Sequence, residues 1–174
     1  LFSNQINHIV INDYDTSIYS VWHAILNHPE YLIDKINEVP FDYYCDGNPE
    51  ANIKFWKKQR SIYFEEKYNP RSLPGAFATL FLNRTNRSGI ITGGPLGGWS
   101  QKNTQIGARF TKSTLIQKIL AIHERRDDIT VSNLDALKMI PSIPSIYDAD
   151  NTFIFFDPPY FDQGGSLYYS SLEK

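Results

Sequence analysis

Cysteine is nearly absent from this sequence: among 174 residues, only Cys45 carries a thiol. A single cysteine excludes an internal disulfide and a zinc cluster built on cysteines, and it is typical of a cytoplasmic protein. We interpret Cys45 as a bystander thiol rather than a nucleophile. Apolar runs long enough to cross a bilayer are also missing, so no membrane-spanning helix is predicted.

Several patterns of catalytic and nucleotide-binding sites are missing as well. The four histidines show no paired spacing with carboxylates that is typical of a metal site, and no nucleophile is arranged with a base. The glycine-rich stretch 93–98 is not followed by Gly-Lys-Ser or Gly-Lys-Thr, and it does not join a strand to a helix. We therefore reject both nucleotide-binding fingerprints and interpret this stretch as a flexible hinge or groove-facing loop.

Charge of one sign is scarce in one part of the chain. The net charge of −2 alone argues against a nucleic-acid partner. Residues 84–126, however, contain eight basic residues and one acid, Glu124, hence a local charge of +7 that leaves −9 for the rest. A basic zone of this size suits phosphate contacts. A solvated basic face on ordinary helices is the open alternative.

Hydrophobic periodicity predicts alternating strands and helices. Strands are expected at residues 8–12 and 129–131, and a helix that Asp15 or Thr16 caps should end at His28-Pro29. Further helices are expected at about 31–37, 50–68, 75–83, from 111 onward, and at 134–140. This alternation is typical of a parallel sheet, whereas residues 84–110, with six glycines, predict a long functional loop or a small recognition subdomain.

The most informative stretch is residues 153–160. Phe153–Phe156 is a continuous apolar run, which predicts a central strand buried on both faces. Two prolines follow Asp157 and cannot continue a ladder, so the chain should leave the sheet at its carboxyl edge, where open α/β sheets bind ligands. A strand that merely ends in a proline turn is the simpler alternative.

The tetrapeptide at residues 157–160 is suited to hold an aromatic amine. The carboxylate of Asp157 and the carbonyls of Pro158 and Pro159 can accept both N–H groups, and Tyr160 offers a flat face for stacking. The lone pair of such an amine is delocalised into the ring, which makes it a poor nucleophile. Holding both N–H groups would favour a tetrahedral nitrogen and direct the lone pair at an electrophile.

Residues 157–160 resemble the catalytic motif of the Dam-like DNA adenine-N6 methyltransferases, which grips the target adenine while S-adenosylmethionine donates the methyl group. Three further stretches are similar to segments of that family, in the same order. Residues 8–13 resemble its second cofactor strand, residues 81–89 the opening of its target-recognition region, and residues 129–135 the strand and acidic turn near the cofactor adenine.

The resemblance implies an α/β, Rossmann-like methyltransferase fold with a mostly parallel sheet and a largely helical and loop target-recognition insertion. Residues 1–83 and 111–174 are expected to form a partial S-adenosylmethionine-dependent core, and residues 84–110 the DNA-contacting loop region. The family's Gly-rich cofactor loop and its last strands have no counterpart here, so we expect an internal fragment, truncated at both ends, of a longer enzyme.

The resemblance also assigns roles to acids, and it implies no metal. The implied catalytic residues are Asp157, Pro158, Pro159 and Tyr160, and the implied cofactor-binding residues are Asp13, Asp135 and Asp157. Asp13 would hold the ribose hydroxyls of S-adenosylmethionine. From position alone, a capping or loop role for Asp13 stays open, and Asp135 can simply begin the next helix.

The predicted DNA-binding residues are five polar residues of the basic zone, namely Arg84, Asn86, Arg87, Lys102 and Arg109. Arginine reads guanine bidentately and asparagine reads adenine, whereas Lys102 and Arg109 suit phosphates better. Some family members carry a wedging aromatic near the position of Arg87, so their recognition sequence is not transferred. For Trp99, base stacking and loop anchoring are both open.

The implied substrate is an adenine that leaves the stack of double-stranded DNA. The implied protein is a cytoplasmic monomer without a membrane partner, and a cognate restriction endonuclease is a further candidate partner. Two alternatives stay open. An RNA adenine methyltransferase would use the same pocket, and a non-catalytic DNA-binding remnant would keep the basic loop but lack cofactor binding.

Overall fold

The computed structural model describes residues 6–43, 48–102 and 105–157. The chain divides into two compact units, Leu1–Asn133 and Leu134–Lys174. Within the described residues, no helix is both long and apolar enough to span a bilayer. The prediction of a core at residues 1–83 and 111–174 stays a prediction, and residues 84–110 lie within the first unit.

The first unit contains two strands and five α-helices among its described residues, together with short 3-10 turns. The strands are β1 (Ile9–Asn12) and β2 (Ile129–Ser132). The helices are α1 (Thr16–Asn27), α2 (Pro29–Glu38), α3 (Pro49–Glu66), α4 (Leu73–Thr85) and α5 (Lys112–Glu124). The second unit contains the short helices α6 (Ala136–Met139) and α7 (Ile143–Ile146). Each of the longer helices lies within a few residues of its predicted position.

The two strands pair in parallel, as the alternation of strands and helices predicted. Ile9 lies opposite Ile129, and the register continues to Asn12 opposite Ser132. The amide of Asp13 then donates to the carbonyl of Ser132 at 3.1 Å, which carries the pairing one residue beyond β1. The described part of the chain therefore has a mixed architecture of helices and a small parallel sheet.

The ends of α1 follow from its flanking residues. The side chain of Asp15 accepts hydrogen bonds from the amides of Ser17 at 2.8 Å and Ile18 at 3.3 Å, which satisfies two amides of the first turn. At the other end, Pro29 cannot donate to the α1 ladder and instead opens α2. The predicted cap by Asp15 and the predicted stop at His28-Pro29 are both confirmed.

The core of the first unit is built around α4. Phe81 is fully buried. The rings of Phe41, Phe55, Phe77 and Phe110 surround it, with centroids at 6.1, 5.3, 6.0 and 5.6 Å from its own. Tilted and edge-on rings at these distances attract one another in addition to burying apolar area. This cluster anchors α4 to α3 and to the end of the loop that leads into α5.

Helical periodicity in residues 50–68 predicts Ile53, Trp56, Ile62 and Phe64 as core residues of α3, and this prediction is partly wrong. Trp56 is 1% exposed, as predicted, and Ile53 and Ile62 are partly buried. Phe64, however, is 42% exposed. Phe64 stands in the last turn of α3, and the guanidinium of Arg60 lies over its ring at 4.8 Å. Helical periodicity alone does not show this position at the end of the helix.

The predicted central strand at Phe153–Phe156 is wrong for this structure. The four side chains are 89, 43, 77 and 57% exposed, and residues 152–157 belong to no helix or strand. A strand requires a neighbour that supplies the other half of its ladder, and the described sheet consists of β1 and β2. The apolar run satisfied the composition of a buried strand but has no such neighbour among the described residues.

We expect Phe81→Ala to lower the free energy of unfolding by about 3–5 kcal/mol, because it empties the centre of a ring cluster that cannot fully collapse. Chemical denaturation monitored by circular dichroism measures this loss. Phe64→Ala is the matched control, and its exposed ring should cost less than about 1 kcal/mol. Equal losses for the two variants would contradict the assignment of the core.

Candidate active site and nucleic-acid interface

Asp13 stands at the carboxyl end of β1, where the chain leaves the sheet for α1. Its Oδ1 accepts the amide of Asp15 at 2.9 Å, which folds the loop into a tight turn. Its Oδ2 has no partner among the described residues. The structure thus leaves a half-buried carboxylate with one open oxygen at the edge where parallel sheets bind ligands.

Asn133 holds this edge together, a role that sequence reasoning missed. Its Nδ2 donates to the carbonyls of Asp13 at 2.7 Å and Tyr14 at 2.9 Å, across from β2 to the loop after β1. Its Oδ1 lies 3.4 Å from the hydroxyl of Thr16. The available signal was position, since an amide directly after one parallel strand can reach the backbone after its neighbour.

Burial shapes the electrostatics of Asp13. Partial removal from water raises the pKa of its carboxyl, the Asp15 amide opposes that rise, and the charge of Asp15 adds to it. A charged group at such a site is costly until hydrogen-bond donors reach it. Vicinal hydroxyls are donors of the required kind, so this carboxylate is suited to hold a diol.

The other predicted acids lie in the second unit. Asp135 caps α6, where its Oδ1 accepts the amide of Leu137 at 2.8 Å. This is the capping role that the sequence left open, and cofactor contact by Asp135 is an additional proposal. Asp157 is exposed and follows the apolar run. Pro158, Pro159 and Tyr160 lie outside the described residues.

Asn86 does not present its side chain to a partner. It is completely buried, and its Oδ1 accepts the indole Nε1–H of Trp56 at 2.7 Å. Its Nδ2 donates to the carbonyls of Ile90 and Ile91, both at 2.8 Å, and lies 3.3 Å from that of Gly93. Because the side chain is enclosed, the structure does not support the predicted base contact, and Asn86 instead shapes the loop after α4.

Arg84 and Arg109 interlock in the same region. Arg84 donates from Nε and a terminal nitrogen to the carbonyl of Arg109 at 3.1 and 2.7 Å. A terminal nitrogen of Arg109 in turn donates to the carbonyls of Asn83 at 2.9 Å and Asn86 at 2.8 Å, at the end of α4. Burial, together with Arg109, lowers the pKa of Arg84. Both guanidinium groups therefore brace the loop. Contact of Arg84 and Arg109 with DNA stays a prediction.

Much of the predicted basic zone is engaged within the protein. Lys112 donates from Nζ to the carbonyls of Val39 at 2.6 Å and Asn37 at 3.0 Å. Arg125 pairs with Asp128 at 2.8 Å. The exposed cations of the zone with no partner among the described residues are Arg87, Lys102 and Lys118. Two of the five predicted DNA-binding residues, Arg87 and Lys102, are thus available to a polyanion.

Exposed basic residues also occur outside the predicted zone, on α3. Lys54, Lys57 and Lys58 are all exposed, and the spacing places them on one side of the helix. Residues 51–64 contain four cations and no acid. Sequence reasoning missed this group because Glu50, Glu65 and Glu66 at the two ends of the helix reduce the net charge of residues 50–66 to +1.

His23 lies within α1 and His123 within α5. The Nδ1 of His123 lies 2.9 Å from the carbonyl of Leu26, which links α5 to α1. Burial is the main cause that lowers the pKa of His23, with Arg71 and His28 adding to it. In the part of the chain that the structure describes, no group of three His, Cys, Asp or Glu side chains could hold a metal ion.

A family model described as D12 class N6 adenine-specific DNA methyltransferase matches residues 1–173. The chain belongs to this family. No curated protein matches it significantly. The match confirms the resemblance to the Dam-like enzymes, and it identifies an adenine-specific DNA methyltransferase.

For an adenine-specific DNA methyltransferase, the described residues divide into two kinds. Asp13 stands at a sheet edge that suits a small ligand. The side chain of Asn133 holds the backbone there through hydrogen bonds to the carbonyls of Asp13 and Tyr14. The other kind forms hydrogen bonds within the protein. Asn86 accepts from the indole of Trp56, and Arg84 and Arg109 donate to backbone carbonyls. Residue type alone did not separate these two kinds.

We expect Asp13→Asn to raise the free energy of unfolding at neutral pH, because it removes a charge from a half-buried position and keeps the acceptor for the Asp15 amide. The folded-state pKa lies above the unfolded value near 3.8, so protonation stabilises the fold as pH falls. The difference in unfolding free energy between Asp13→Asn and the wild type should therefore shrink as the pH falls through the folded-state pKa of Asp13, and it should vanish below about pH 3.8.

Urea denaturation from pH 3 to pH 7 measures this difference. Asp34→Asn, on an exposed position of α2, is the control for loss of a surface charge. An Asp13→Asn variant that is less stable than the wild type at pH 7 would contradict the electrostatic assignment.

We expect Asn86→Ala to lower the free energy of unfolding by roughly 2 kcal/mol, because it strands the indole N–H of Trp56 and the carbonyls of Ile90 and Ile91. Asn86→Asp should be at least as damaging, since it turns the donor toward those carbonyls into an acceptor. Arg87→Ala, at the next and exposed position, should stay within about 0.5 kcal/mol of the wild type. Thermal and chemical denaturation compare the three.

Proposed function

We propose that this chain supplies the cofactor edge and the catalytic motif of a Rossmann-like enzyme that methylates the N6 amine of an adenine extruded from double-stranded DNA, with S-adenosylmethionine as the donor. The family match supports adenine methylation of DNA. The single observation that carries the cofactor part is the open, half-buried carboxylate of Asp13 at the carboxyl edge of a parallel strand pair.

S-adenosylmethionine fits the residues at this edge. Oδ2 of Asp13 can accept hydrogen bonds from the two ribose hydroxyls, which would lower the cost that burial places on its charge. Asn133 fixes the backbone at Asp13 and Tyr14, so the carboxylate is held in place before a ligand arrives. When bound, the cofactor supplies an electrophilic methyl group on a sulfonium.

Asp157 and its neighbours would position the acceptor amine. The carboxylate of Asp157 accepts one N–H of the adenine amino group, and a carbonyl of Pro158 or Pro159 accepts the other. These bonds orient the nitrogen lone pair outward and hold both hydrogens while the nitrogen gains charge. Since the prolines have no backbone N–H, they place no donor in competition with the amine.

Tyr160 would compensate the adenine for the neighbours that it loses. Extruding a base costs a few kcal/mol of stacking and pairing, and a phenol ring on the base recovers part of it. Stacking on an aromatic side chain is worth about 1–3 kcal/mol per base. The pocket therefore needs both parts of the motif, a polar clamp from residues 157–159 and a flat wall from Tyr160.

Arg87 and Lys102 are the proposed phosphate contacts of the recognition loop, by which we mean the DNA-contacting loop region at residues 84–110. Both are exposed and have no partner among the described residues, unlike Arg84 and Arg109. A cation that is not held by carbonyls can replace counterions along the DNA backbone. Duplex DNA is thus the proposed partner of this face.

We expect Asp157→Ala to reduce methyl transfer by about a thousandfold, because the amine loses the acceptor that orients it. Binding of duplex DNA should change less than twofold. Transfer of a labelled methyl group, with N6-methyladenine identified by mass spectrometry, measures the first, and fluorescence anisotropy measures the second. Asp150→Ala, an exposed acid in the same unit, is the matched control and should retain full activity.

Two results would count against this function. Near wild-type transfer by Asp157→Ala would remove the carboxylate from the reaction. Faster methylation of duplex RNA than of duplex DNA would favour the RNA methyltransferase that the motif alone leaves open.

A further inference from the structure

We propose that Trp99 and three lysines of α3 form a second DNA-contacting surface, in which the lysines bind backbone phosphates and the indole packs flat on a base or deoxyribose. We call Trp99, Lys54, Lys57 and Lys58 the Trp99 surface. The proposal rests on the proposed function, since it names how the same enzyme holds its DNA. It goes beyond that function by adding α3 to the elements that touch the substrate.

Trp99 is held outward by an ordered loop. Its side chain is 64% exposed, although tryptophan is the largest apolar side chain. Gly97 and Gly98 before it have φ values of 79° and 69°, a conformation that glycine adopts without strain. The two glycines turn the chain so that the next side chain projects away from the core.

Gln101 fastens the same loop from inside. It is 8% exposed, and its Nε2 donates to the carbonyls of Leu96 at 2.8 Å and Gly98 at 2.6 Å. Its Oε1 accepts the amide of Ile106 at 2.6 Å. These bonds close the loop on both sides of Trp99, so the exposure of the indole is a property of a fixed conformation.

A second tryptophan supports the first. The ring of Trp56 meets that of Trp99 edge-on, with centroids 5.5 Å apart and planes at 86°. Trp56 is 1% exposed, and Asn86 fixes its indole through the 2.7 Å hydrogen bond. One edge of Trp99 is therefore anchored while most of its surface is open to a ligand, which lowers the entropy that binding would cost.

The surroundings of Trp99 are basic. Nζ of Lys57 lies 5.6 Å from the centroid of its ring, and Lys54 and Lys58 flank Lys57 on the same side of α3. The salt bridges of the described residues include none of these lysines. Downstream of α3, residues 67–123 contain no acid at all. A polyanion meets no repulsive carboxylate along this stretch of sequence.

Lysines beside an exposed, anchored indole match the chemistry of a nucleic acid. Phosphates pair with the ammonium groups, and every base has a face on which an aromatic ring can stack. Because the chain belongs to a DNA methyltransferase family, we assign DNA as the occupant. Arg60 connects this surface to the recognition loop, since it donates to the carbonyl of Thr92 at 3.0 Å.

The test measures binding of a labelled DNA duplex by fluorescence anisotropy at several salt concentrations. Trp99→Ala should weaken binding about tenfold without changing the salt dependence, because stacking releases no counterions. Trp99→Phe should restore most of the affinity. The double variant Lys57→Ala/Lys58→Ala should weaken binding and reduce the slope of log affinity against log salt by about 2.

Tyr68→Ala is the matched control. Tyr68 is 58% exposed, and Nζ of Lys67 lies 4.6 Å from its ring, so it repeats the arrangement of Trp99 just beyond the other end of α3. Its substitution should change affinity less than twofold. Thermal melts of all variants identify any that lose the fold, and the alanine variants of the exposed lysines stay informative if Trp99→Ala unfolds.

Three results would overturn the proposal: wild-type affinity in a folded Trp99→Ala variant, equal losses for Trp99→Ala and Tyr68→Ala, or tighter binding of duplex RNA than of DNA. Its failure is distinguishable from failure of the proposed function. If methyl transfer to DNA is intact and Trp99→Ala binds like the wild type, only the surface is refuted. If DNA binding depends on Trp99 but no methyl group is transferred, the surface stands without the enzyme activity.

Discussion

The buried amide of Asn86 joins α3 to the loop that follows α4. It accepts from the indole of Trp56 on α3 and donates to the loop carbonyls of Ile90 and Ile91. Loss of a hydrogen-bond partner is costly for a buried amide, because water cannot replace it. These bonds therefore fix the end of α4, the loop after it and α3 relative to one another. The ring of Trp56 in turn packs against that of Trp99, so the same hydrogen bond helps to fix the position of the exposed indole.

The carboxyl edge of the sheet uses the same device on a smaller scale. Asn133 after β2 donates to the backbone at Asp13 and Tyr14 after β1. Its side chain does what a further strand residue would do, and it leaves the carboxylate of Asp13 with an open oxygen. In both places an amide side chain organises the backbone beside a group that is partly open to solvent, Asp13 in one case and Trp99 in the other.

Sequence patterns predicted the elements well, because periodicity and capping are local. The cap at Asp15, the stop at Pro29 and the parallel pairing of β1 and β2 followed from short stretches. The same patterns were wrong for Phe153–Phe156 and for Phe64, since burial depends on what packs against a segment. Arg84 and Asn86 had the residue types of DNA contacts. In the structure, an indole and loop carbonyls enclose Asn86, and Arg84 donates to the carbonyl of Arg109.

By itself, the sequence determined the order of the helices and strands from β1 to β2, the acid that follows β1 and the family to which the chain belongs. These properties depend on residues that are close along the chain or on a short motif. Only the tertiary structure decided which cations have no hydrogen-bond partner among the described residues. The carbonyls that accept from Arg84 and Arg109 come from distant positions in the chain. The tertiary structure also decided that Trp99 is exposed on an anchored base, since the supporting ring lies 43 positions earlier in the chain.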